Sequence, residues 1–120
     1  MTVRRMKTYT GEQGYVYQYY FVGKRPALAG QTRGPATEYI FDVSSDRKVT
    51  YAVSVFLSDE ALAGWSSVHK RRLSDAEQYA AVKMRLFRAF DETEDMMGQG
   101  RHLEVDGPAL LQFTAQLRLE

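Results

Sequence analysis

The chain has 120 residues, of which 44% are hydrophobic and 26% charged, with a formal net charge of +1 and no cysteine. That length predicts one domain, residues 1–120, able to bury a core without covalent staples, and the missing thiols exclude disulfide frameworks, thiolate zinc sites and cysteine nucleophiles. No apolar run approaches the ~20 residues that span a bilayer, and the basic start (Arg4, Arg5, Lys7) leads into no apolar segment with a cleavage site, so the expectation is a cytoplasmic protein without membrane contact.

Arg4 to Tyr9 and the turn signal Gly11-Glu12-Gln13-Gly14 precede Tyr15–Val22, a stretch dense in aromatic and β-branched residues that reads as a strand. Its odd positions, Tyr15, Tyr17, Tyr19 and Phe21, are all aromatic. Its even positions include Val16, Tyr20 and Val22, so the second face is also rather apolar and the strand is expected inside the sheet. Residues 23–36 hold three glycines, two prolines and three positive charges. They read as a long connecting loop and as the segment best placed to meet a partner.

Thr37–Ser44 alternates, with Tyr39, Phe41 and Val43 on one face and Glu38, Asp42 and Ser44 on the other. A polar turn at residues 45–48 leads to a second alternating run, Val49–Leu57. Together they predict an antiparallel hairpin in a sheet covered mainly on one side. Ser58 then caps a short helix in which Ala61, Leu62, Trp65 and Val68 form an apolar stripe.

Ser74 and Glu77 form a capping box that opens a long helix with no Gly or Pro before Gly98. Tyr79, Val82, Leu86, Phe87, Phe90 and Met97 share its apolar side, opposite Arg85, Arg88 and Glu92. Lys83 falls inside the apolar stripe, where a snorkelling stem is the ordinary outcome. Its end carries Asp91, Glu92, Glu94 and Asp95 against the negative pole of the helix dipole, so something should compensate these charges. Beyond it, the pattern predicts a strand at His102–Val105 and a helix over 108–117, started by Asp106 and Pro108. The fold class is therefore α+β: an antiparallel sheet of three to five strands with the long capped helix and one or two shorter helices on one face.

Neither His69 nor His102 lies in a hydrolase elbow or a metal-binding spacing, and no glycine-rich phosphate loop is present. No catalytic residue, cofactor or metal ligand is expected. The first 36 residues hold six basic side chains against Glu12 alone, which makes the remainder net acidic. Such segregation suits association within the fold or across a dimer. The leading expectation is a non-enzymatic interaction or assembly domain whose partner is itself or another protein, with dimerisation burying the second face of Tyr15–Val22. The alternative is a nucleic-acid-binding module in which Tyr15, Tyr17 and Tyr19 stack bases while Lys24, Arg25 and Arg33 hold phosphates.

Overall fold

Side-chain alternation and turn chemistry set the sheet, and a computed structural model describes it for residues 5–119. Five strands lie in chain order: β1 (Lys7–Thr10), β2 (Val16–Pro26), β3 (Ala36–Ser44), β4 (Tyr51–Ser58) and β5 (His102–Val105). The helices are α1 (Asp59–His69), α2 (Asp75–Glu92), α3 (Met96–Gln99) and α4 (Gly107–Gln116). Strands β1 to β4 form an antiparallel meander, whereas β5 pairs with β4 in parallel. The sheet is thus mixed, not wholly antiparallel as expected. The reason is connectivity: α1, α2 and α3 form a crossover that brings the chain back along β4 in the same direction.

One face of the sheet carries Tyr17, Tyr19, Tyr39, Phe41, Val43, Val53, Val55, Leu57, Leu103 and Val105, which form the core with Trp65, Val82, Leu86, Phe90, Leu110 and Phe113 from the helices. Phe90 stacks on Tyr17 with ring centroids 4.3 Å apart, and Phe87 stacks on Tyr9 at 4.4 Å. The aromatic ladder of β2 is therefore packed beneath α2, with each full ring contributing about 2–3 kcal/mol of burial. The opposite face carries Gln18, Tyr20, Ile40, Asp42, Ser54 and His102, alternating with the core residues in register.

Several boundaries move. Strand β2 runs on to Pro26, so the connection shrinks to residues 27–35. Among the described residues β1 pairs with residues 16–19 of β2. The connection itself is ordered, with Ala27 N donating to Ala36 O at 2.8 Å and Leu28 N to Gln31 Oε1 at 2.8 Å. Val49 lies outside β4 and is exposed, because Asp46 Oδ1 takes its amide and that of Lys48 to close the turn. Tyr15 likewise precedes its strand and is exposed. Arg4 falls outside the described residues.

Helix α2 opens with the expected capping box, Ser74 Oγ accepting from Glu77 N and Glu77 Oε1 from Ser74 N. It stops at Glu92, well before Gly98, because Asp95 starts α3 by accepting from Gly98 N. The break shifts the helical phase, so Met96 is buried and Met97 is exposed. Strand β5 and α4 stand where the pattern placed them, with Asp106 capping α4 through Ala109 N at 2.9 Å.

Candidate functional site

Helices α1 and α4 leave the adjacent parallel strands β4 and β5 side by side, since Leu57 and Val105 are register partners and each strand feeds directly into its helix. The two helices consequently run in the same direction. Trp65 Nε1 donates to Thr114 Oγ1 at 3.0 Å midway along them, and Arg71 donates to Leu119 O at their far ends. Between them lies an apolar groove of about 580 Å³ whose walls include Ala61, Gly64, Trp65, Val68, Pro108 and Leu111. Val68 is 71% exposed and Leu111 50%. Val68 was expected among the packed residues of α1. Ala61 and Trp65 reach the core, but the stripe is wider than the sheet can cover, and Val68 is left on the rim.

The face of the sheet opposite the helices carries a polar strip across four strands. Arg25 Nε donates to Glu38 Oε1 at 2.7 Å, and Ser54 Oγ donates to Glu38 Oε2 at 2.6 Å. His102 Nε2 lies 3.2 Å from Glu104 Oε2, and its ring stacks on Phe56 with centroids 4.5 Å apart. Glu38 was expected on a solvated face but is only 3% exposed. Burial works against its charge, but the Ser54 hydroxyl and the Arg25 guanidinium outweigh that and hold its carboxyl below the usual range. A carboxylate held ionised by two donors is a structural acceptor, not a proton donor.

The six predicted site residues do not converge. Tyr17 and Tyr19 are in the core, so neither can stack a base or contact a partner. A bulge at Val22 makes Phe21 and Gly23 pair with the consecutive residues Phe41 and Ile40. The bulge turns Lys24 to the helix side and Arg25 to the other. Lys24 Nζ sits 3.8 Å from Asp75 Oδ1 and over the Tyr39 ring, while Arg25 belongs to Glu38. Arg33 lies on the connecting loop at the rim of a small cavity shared with Phe56 and Glu104, and Tyr15 stands at the opposite end of β2. Val16 and Val22 are exposed on the strip's side of the sheet, interleaved with Gln18 and Asp42, so the expected dimer surface there is broken up by polar groups.

The remaining misfits are explained locally. Asp91 accepts from Tyr9 Oη at 2.7 Å and Glu12 N at 3.0 Å, and Asp95 caps α3, which gives two of the four acidic side chains at the helix end a local partner. Lys83 Nζ lies 4.9 Å from the centroid of the Tyr79 ring. Arg85 and Arg88, expected opposite the apolar side of α2, meet Glu104 O and the Phe113 ring. Among the described residues no three of His, Asp and Glu come together in a metal-binding arrangement, and no helix is long and apolar enough to cross a membrane.

The α1–α4 groove was missed from sequence. Its one signal was the breadth of the apolar stripe on α1, and the strand-like alternation around Leu111 obscured the matching surface on α4. Comparison with family models, curated proteins and solved structures gives no match for this chain.

Proposed function

We propose that the chain is a non-enzymatic interaction domain that assembles with copies of itself. The observation that supports this reading is the apolar groove between α1 and α4, flanked by the exposed side chains of Val68 and Leu111. Apolar side chains left on a rim beside an apolar hollow gain about 1.5–3 kcal/mol each when a partner covers them. The groove replaces the Tyr15–Val22 face as the contact surface, because on that face the polar Gln18 lies between the exposed valines and would have to be desolvated along with them.

The nucleic-acid alternative draws no comparable support. It needs stacking rings and phosphate-binding cations on one surface. Here two of the three rings are in the core, and Lys24 and Arg25 face opposite ways.

Sedimentation velocity over the micromolar range tests the reading. The expected result is a sedimentation coefficient that rises with concentration to a dimer plateau. A monomer throughout the range would end it.

A further inference from the structure

We infer that the cavity between the β1–β2 turn, α2 and α4 binds a free α-amino acid with an apolar side chain. The cavity shares no residue with the α1–α4 groove, so the inference stands apart from the self-association proposed above.

The cavity has a volume of about 730 Å³. Small-molecule sites typically enclose about 300–1,000 Å³. Met84, Phe87 and Phe113 form its apolar wall, and Glu12, Arg88, Glu92, Gln112 and Gln116 supply polar groups around them.

Both signs of charge stand on this wall, and neither is neutralised within the fold. Arg88 and Glu92 are four residues apart on α2, a spacing at which opposite charges can close an ion pair. Here they do not. The Arg88 guanidinium lies over the Phe113 ring, its Cζ 5.3 Å from the centroid, and no acid among the described residues pairs with it. Its Nε is buried without an acceptor. A charged donor left in this state gains more from an anionic partner than a well-solvated one does. Glu92 is exposed and pairs with no base among the described residues. Asp91 also lines the cavity, but both its oxygens are engaged, by Tyr9 and by the Glu12 amide.

A ligand of one charge would meet either Arg88 or Glu92 as a like charge. A zwitterion meets each with its opposite. Four residues of helix rise about 6 Å, a gap that a carboxylate and an ammonium on one carbon bridge with a hydrogen bond at each end. Arg88 then takes the carboxylate, with the exposed amides of Gln112 and Gln116 beside it, and Glu92 takes the ammonium. The ligand's side chain rests on Phe87 and on Met84, whose unbranched thioether adapts to what it packs against.

Phenylalanine is the probe, followed by nuclear magnetic resonance titration of the isotope-labelled full chain. Saturating shifts are expected at the Met84 methyl and at the Gln112 and Gln116 side-chain amides below about 10 mM. N-Acetylphenylalanine lacks the ammonium, phenylalaninamide the carboxylate and glycine the apolar part, so each is expected to bind about tenfold more weakly. Arg88→Gln is expected to weaken phenylalanine by the same factor and to leave phenylalaninamide unchanged. Glu92→Gln is expected to weaken phenylalanine and to leave N-acetylphenylalanine unchanged. Should either variant melt early by circular dichroism, the wild-type series decides alone. No shift with any of the four compounds, or shifts confined to the α1–α4 groove, would overturn the site. N-Acetylphenylalanine binding as tightly as phenylalanine would make it an anion site, and phenylalaninamide doing so would make it a cation site; either overturns the amino acid.

Discussion

Tyr9 and Asp91, 82 positions apart in the chain, are joined by a hydrogen bond of 2.7 Å from the phenol Oη to the carboxylate Oδ2. It ties the first hairpin to the last turn of α2, and the Glu12 amide reinforces it through the other carboxylate oxygen. Tyr9→Phe keeps the ring stacked on Phe87 and removes only this bond, so it is expected to cost about 1 kcal/mol. Asp91→Ala removes both bonds and is expected to cost more, about 2 kcal/mol. Urea unfolding of the two variants checks the order, and equal losses would show that the Glu12 amide contributes nothing.

Alkaline pH should unfold the protein through its phenols. Burial, and then the hydrogen bond to Asp91, push Tyr9 up to about 12 from an ordinary value of 10.0. Burial also raises Tyr17, Tyr19, Tyr39, Tyr51 and Tyr79. With folded values above unfolded ones, the contribution is intact below pH 10 and is lost as pH rises through the folded values, because the unfolded chain gives up its protons first. Urea midpoints at about pH 9 and about pH 11 should fall in that order, with a smaller drop in Tyr9→Phe.

Arg25, Glu38 and Ser54 make the opposite prediction in acid. The folded value of Glu38 lies below its unfolded one, so its contribution is present above the ordinary carboxylate range and is lost as pH falls through the folded value. Arg25→Ala leaves a buried carboxylate one donor short and is expected to cost about 2 kcal/mol at neutral pH. The gap to wild type should narrow as Glu38 becomes protonated. A gap independent of pH would mean that Arg25 stabilises by packing and not by charge.

The hydroxyl of Tyr39 is buried and finds no hydrogen-bond partner within the described residues. Tyr39→Phe keeps the ring in the core and removes an unsatisfied polar atom. It should be neutral or stabilising by up to about 1 kcal/mol, as measured by thermal melting. A clear loss of stability would show that the hydroxyl is satisfied in solution.

The parts of this fold that announce themselves in the sequence are those written in local chemistry. Ser74 with Glu77, Asp106 with Pro108, and the alternation of Tyr39, Phe41 and Val43 each report on residues within a turn or a strand of themselves, and each appears as expected. What stayed hidden depends on partners distant in the chain. The bulge at Val22 needs the β3 register to be seen, yet it alone decides that Lys24 and Arg25 part company. The burial of Glu38 depends on Arg25 and Ser54 from neighbouring strands. For the groove, helical spacing identified Val68 as apolar, but only the placement of α4 beside α1 leaves it uncovered. Of the six residues expected to form a site, none lines that groove, because aromatic and basic character says nothing of which side of a sheet the helices will occupy.

The parallel seat of β5 also has a consequence for how the molecule is made. The first four strands can zip together in the order they leave the ribosome, each onto its immediate predecessor. The fifth has to wait until three helices have been synthesised and folded back, and only then do Ser54 N and Ala52 O find Arg101. During that interval one margin of β4 stands bare, so a nascent chain stalled before His102 presents an open strand edge to other chains.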